Sequence, residues 1–305
     1  MHHVVGLVVA CAAALAVTGL ARAAAQTAIV DVVSSPPDLV TGQDVVVRVR
    51  GDGLNPIGFA SNATLPTPFR QDEHGDWFGR IGLTDHLIPG DNIISVLPNV
   101  ADPLREVTLT ITVHGQDEPL FDGPRPGPAA CRNEMFGLPP PRDETCATPR
   151  SVNYIYRSAD GTWAPLRLLS ARPSDIDRTV TSTGEQAPMI VRIESGVINR
   201  APYAVAFLHD PASGPAPSPG AISPSAWNGS LIYGAGAAFR IGNPVAGRVG
   251  FFDLSPVDEP ASPCPVALIE SGYAIAAAAD VTGPPINDIV AAETLLRVKE
   301  RFIKR

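Results

Sequence analysis

Charge is scarce in this chain of 305 residues. Only 18% of its residues are Asp, Glu, Lys or Arg and 45% are hydrophobic, which excludes a disordered polypeptide and leaves a globular one. A basic surplus is also missing. The net charge of −8 and a pI near 5.2 argue against nucleic acid or an anionic membrane surface as a partner. No C-x-x-C, H-E-x-x-H or EF-hand spacing occurs, so no metal site is expected, and no cofactor. There is no internal repeat. Cysteines number four, at positions 11, 131, 146 and 264.

The length allows two domains with substantial cores. Residues 1–25 read as an export signal. Val4–Leu20 is almost wholly apolar, and Ala21-Arg22-Ala23 and Ala23-Ala24-Ala25 are small-x-small cleavage sites. The stretch is marginal in length for a transmembrane anchor, and the n-region carries His2 and His3 in place of Lys or Arg. Export implies a secreted or periplasmic protein with no membrane association after cleavage. It also suits cysteine pairing. Cys131 and Cys146 flank a proline-rich loop, where a disulfide would contribute on the order of 3 kcal/mol. Cys264 is then left over, which suggests a missing partner.

Residues 27–115 read as all-β. Val45, Val47 and Val49 alternate with Val46, Arg48 and Arg50, and Val107, Leu109, Ile111 and Val113 alternate with threonines. Further strands are expected at Ala28–Val33, Trp77–Leu83 and Asn92–Leu97, separated by turns such as Asp52-Gly53 and Pro89-Gly90. Strands at that spacing predict an immunoglobulin-like sandwich. Residues 116–150 form a proline-rich linker in which neither helix nor interior strand can form.

In 151–305 the strand candidates are Val152–Tyr156, Met189–Ile193, Tyr203–Leu208, Leu231–Tyr233 and Tyr273–Ala279. Ser195 is placed at a hairpin tip. Asn287–Arg305 predicts a helix capped by Asn287 or Asp288, with Ala291, Leu295, Val298 and Phe302 on one face. Lys299, Arg301, Lys304 and Arg305 suit its C-terminal dipole. A helix with one apolar stripe after an apolar strand predicts packing on a mostly parallel sheet. Leu231–Tyr233 runs into Gly234-Ala235-Gly236-Ala237-Ala238. Small residues there let backbone N–H groups approach an oxyanion closely, though by itself the segment reads first as a tight turn beside a helix or the sheet.

Several segments, in order, carry a resemblance: "VVSSPPDLVTGQDVVVRV", "FGLPPP" between Cys131 and Cys146, "VNYIYR", "IVRIESGVINRAPYAVAFLHDP", "WNGSLIYGAG" and "DIVAAETLLRVKERFI". Together they resemble a family of uncharacterised secreted bacterial proteins with a sandwich-like N-terminus and an α/β-hydrolase-like body, whose neighbours include tannase-like esterases and polyhydroxyalkanoate depolymerase-like proteins. The expected fold is thus α+β and two-domain: an immunoglobulin-like β-sandwich, then an incomplete α/β-hydrolase-like domain. The resemblance implies that Gly234, Ala235, Gly236 and Ala237 lie at the oxyanion loop. This chain interrupts the family's longer glycine run and lacks its cysteine.

The family continues after "VKERFIKR" into a glycine-flanked serine turn, and no G-x-S-x-G occurs in these 305 residues. His74, His86, His114 and His209, with Asp210, are read as surface or turn residues, and no catalytic role falls to them or to Ser195. Asp253, Asp258 and Glu259 read as a solvated acidic face. The leading expectation is the N-terminal part of a secreted ester hydrolase, inactive by itself, whose full-length form acts on an ester-containing small molecule or polymer. The alternatives are a complete, non-catalytic extracellular binding module and a chain that completes its sheet with a separate polypeptide.

Overall fold

The structure, a computed structural model, describes residues 28–60, 65–82, 87–115, 118–125, 127, 130–166, 172–218, 226–235, 265–279 and 287–305. It is β-rich with few helices. The first nine strands are β1 (Ile29–Val32), β2 (Val40–Thr41), β3 (Val45–Arg50), β4 (Ile57–Ala60), β5 (Thr67–Pro68), β6 (Arg70–Gln71), β7 (Trp77–Ile81), β8 (Gly90–Leu97) and β9 (Val107–His114). They form a four-stranded sheet, β1-β3-β7-β6, and a five-stranded one, β2-β9-β8-β4-β5. Val45, Val47, Val49 and Ile81 of the first sheet share one buried core with Ile94, Val96, Ile111 and Val113 of the second. The alternation read from β3 and β9 is therefore the inward face of a two-sheet domain. The short strands β2, β4, β5 and β6 carry no comparable pattern.

Among the described residues of the linker there is no strand. The turn Asn133–Phe136 ends at Gly137, whose left-handed φ of 72° closes it. Cys131 and Cys146 are disulfide-bonded, with Cα atoms 5.4 Å apart. Buried Asn133 donates through Nδ2 to the Cys146 carbonyl at 3.0 Å, tying the loop internally.

The second body contains β10 (Ser151–Arg157), β11 (Trp163–Pro165), β12 (Arg178–Val180), β13 (Gln186–Pro188), β14 (Ile190–Ile198), β15 (Ala201–Leu208), β16 (Leu231–Ala235), α1 (Pro265–Glu270), β17 (Ala274–Ala278) and α2 (Asp288–Ile303). Six strands make one sheet, in the order β11-β10-β14-β15-β17-β16. Among the described residues it is mostly antiparallel, and only β16 and β17 pair in parallel. This corrects the expected mostly parallel sheet. All four pairs from β11 through β17 are antiparallel, and β14 turns directly into β15. Asn199 and Arg200 both have positive φ, 50° and 62°, the conformation of a two-residue hairpin turn. Arg200 also donates to the Glu144 carbonyl, which steadies an uncommon backbone for arginine. Ser195 is accordingly not at a tip. It lies mid-strand, opposite Ala204 and Ser151.

Every residue of β15 and β17 is buried, because helices cover both faces. Ala204, Ala206, Leu208, Ile275 and Ala277 pack with Ile269 of α1. Tyr203, Val205, Phe207, Ala274 and Ala276 pack with Val298 and Phe302 of α2. Phe302 meets Trp227 and Phe207 edge-on, at centroid distances of 5.3 and 6.1 Å.

Helix α2 begins as expected. Asn287 Oδ1 accepts from the Val290 N–H at 3.0 Å. Its faces differ from expectation. Val298 and Phe302 are buried, but Leu295 is 38% exposed. A second buried stripe, Glu293, Arg297, Glu300 and Lys304, is charged. It faces the linker and the sandwich. Glu293 accepts from the N–H groups of Leu120 (2.7 Å) and Phe121 (3.0 Å) and from Arg125. Arg297 donates to the Glu118 carbonyl at 2.6 Å. Gly123 passes so close that a Cβ there would lie 2.2 Å from Ile289 Cδ1. Lys304 is therefore not a solvated dipole partner. Its Nζ meets Glu300, the Thr41 carbonyl at 2.8 Å and Asp44 at 3.4 Å, across the interface between the two bodies.

Candidate functional site

Strands β14, β16 and β17 run in one direction, so their C-terminal ends share an edge of the sheet. Ligands of open α/β sheets sit outside such ends. Gly234 and Ala235 close β16 there, paired with Ala277 and Ala278 of β17. The strand thus extends two residues beyond the expected Tyr233, and Gly234 is buried within it. Gly236 and Ala237 lie outside the described residues, as do Ala238, Cys264, His86, Asp253, Asp258 and Glu259. At the same edge, Asn199 Nδ2 donates to Thr294 Oγ1 at 3.1 Å and ties the β14–β15 turn to α2.

The described histidines, His74, His114 and His209, do not assemble into a base with a serine. His209 ends β15 at the opposite edge of the sheet. Its Nε2 faces the Gly214 carbonyl at 3.2 Å, which can only accept, so the proton sits on Nε2. Nδ1 then accepts from the Tyr154 hydroxyl at 3.0 Å. Burial, with the nearby Arg192 charge adding to it, outweighs those contacts and holds its pKa below the usual histidine value. His114 faces the Asp38 carbonyl at 2.9 Å, and His74 is exposed in the β6–β7 hairpin. Among the described residues no serine hydrogen-bonds a histidine, and no three His, Cys, Asp or Glu groups converge as a metal site.

A cleft of about 760 Å³ lies between the two bodies. Arg48, Asp72, His74 and Phe78 contribute its sandwich wall, and Trp227, Leu231, Tyr233, Lys299 and Phe302 its other wall. Burial pushes the Tyr233 phenol up to about 12. Asp72 is engaged locally, because its Oδ1 accepts from the N–H groups of His74 and Asp76. Its β16 wall, Leu231 and Tyr233, lies in the strand just before Gly234 and Ala235. No motif announced it, since its walls come from residues nearly two hundred positions apart. Positions 293, 297, 300 and 304 of α2 repeat the spacing of the apolar stripe, but that spacing does not say that their charges are buried.

A family model described as a tannase-like family of unknown function (DUF6351) matches residues 30–305. No curated protein matches the chain.

Proposed function

The chain belongs to this tannase-like family of unknown function, and from that premise we propose that it is an α/β-hydrolase-like scaffold for ester chemistry outside the cytoplasm. The observation that carries the reading is the parallel β16–α1–β17 unit. It delivers the small residues Gly234 and Ala235 to the carboxyl edge of the sheet, where a loop after such a strand supplies an oxyanion N–H. In this reading Gly236 and Ala237 continue that loop, and the nine-stranded N-terminal domain is an immunoglobulin-like packing partner. The Cys131–Cys146 disulfide fits a secreted or periplasmic protein. No helix among the described residues is long and apolar enough to cross a membrane.

The sequence contains no G-x-S-x-G, and among the described residues no serine meets a histidine, so this polypeptide by itself is proposed to be catalytically incompetent. Purified 1–305 is expected neither to hydrolyse p-nitrophenyl esters nor to be labelled by a serine-directed phosphonate. Turnover or labelling would overturn this. The interdomain cleft favours a second reading, a non-catalytic extracellular binding module. Titration of a phenyl ester followed by amide NMR separates the two. Shifts confined to Gly234–Ala238 support the oxyanion loop, whereas shifts at His74, Phe78 and Trp227 support the module.

A further inference from the structure

Among the described residues, the α2 face of the six-stranded sheet gathers more positive charge than it neutralises. Arg192 of β14 lies between its cross-strand neighbours Tyr154 and Phe207. Two residues on, Glu194 is 3% exposed and accepts from Arg192 (3.2 Å), Arg301 (2.9 Å) and the Tyr203 hydroxyl (3.2 Å), with Arg150 at 3.9 Å. One carboxylate thus serves three guanidiniums, and Arg305 adds a fourth. The other acid nearby does not help, because Asp210 is paired with Arg172 at 2.7 Å.

The Arg305 guanidinium lies 3.5 Å from the ring centroid of Phe302, 4.5 Å from that of Phe207 and 5.7 Å from that of Trp227. Arg192 approaches the same Phe207 ring to 5.6 Å. Arg305 Nη2 donates to the Pro217 carbonyl at 2.9 Å. Its Nε and Nη1, and Nη1 of Arg192, are buried without any hydrogen-bond partner. Buried donors of charged groups are ordinarily satisfied, and leaving them bare is costly. Burial, with repulsion from Arg192, lowers the Arg305 pKa to about 9.

We propose that Arg192 and Arg305 form a binding site for an oxyanion, a carboxylate or phosphate group, seated beside Phe207 between β14 and the C-terminal end of α2. A water molecule would satisfy one donor but not the charge. A monatomic anion would answer the charge but not the planar forks, which match paired oxygens. The site is separate from the oxyanion-loop candidates and does not depend on the ester-hydrolase reading.

The test is thermal unfolding of the whole chain in phosphate, acetate or chloride at matched ionic strength. The expected result is a saturable rise in Tm of several degrees at about 100-fold excess over Kd. A rise with acetate alone assigns a carboxylate, with phosphate alone a phosphate, and with both a general oxyanion site. Arg192→Gln and Arg305→Gln should each abolish the saturable part, while Arg172→Gln should keep it. Should Arg305→Gln fail to fold, Arg192→Gln together with phosphorus-31 line broadening on the wild type decides. A Tm that follows ionic strength alone, a rise that chloride reproduces, or a saturable rise that survives Arg192→Gln overturns the proposal.

Discussion

Lys304→Met should loosen the join between the sandwich and the second body. Methionine keeps the length and the apolar stem of the side chain and removes only the ammonium. In the native chain that ammonium is 6% exposed and contacts Glu300, the Thr41 carbonyl and Asp44, whose carboxylates are themselves buried. Removing one partner of a buried ion network costs about 3–5 kcal/mol, because the remaining charge is left uncompensated. Here the two acids keep other donors. Glu300 still accepts from the Thr41 N–H at 2.9 Å, and Asp44 still holds Arg80. The expected cost is therefore at the lower end, about 3 kcal/mol. At ~2–4 °C per kcal/mol this lowers Tm by roughly 6–12 °C. Calorimetry should also show the single transition broaden toward two, as the bodies uncouple. Glu300→Gln with Lys304→Met should cost less than the sum of the two, by about 1–3 kcal/mol. A loss under about 0.5 kcal/mol, typical of an exposed pair, would refute the reasoning and mean that water reaches this interface.

Cys131→Ser should destabilise the linker by about 3 kcal/mol, the chain-entropy figure for a loop of this span, whose sequence separation is 15 residues. A reductant should reproduce the loss in the wild type and do nothing further to the variant. His209→Gln should change the acid dependence of stability. The folded His209 takes up a proton only below its ordinary value of 6.5, whereas the unfolded chain binds it near that pH. Its contribution is thus fully present above 6.5 and is lost as pH falls below it. Urea midpoints from pH 8 to 5 should decline in the wild type and decline less in the variant, and parallel curves would contradict the assignment.

Much of the fold was legible in local patterns. The two-residue period of β3 and β9, the export of proline to the linker and the Asn287 cap each depend on neighbours in sequence, and each appears where its pattern lies. The Cys131–Cys146 pairing was also readable, because a proline-rich loop offers no other closure. The misreadings share one origin. Sequence alone places Ser195 at a hairpin tip, but the missing side chain of Gly196 beside it makes room for Tyr203 and Arg150 along an extended strand. The turn lies instead at Asn199-Arg200. Leu295 scored as core by spacing, yet the contact that decides is with a distant segment, and it faces the cleft.

The sequence by itself determined a β-rich chain, its disulfide and the small residues at the end of β16. These follow from backbone preference and side-chain periodicity, which act within a dozen residues. Only the tertiary structure decided that the sheet is mostly antiparallel, that α2 buries a charged stripe against residues some 180 to 260 positions away, and that Arg192 and Arg305 meet over Phe207. Burial of a charge is a property of what packs around it, and no local pattern carries that information.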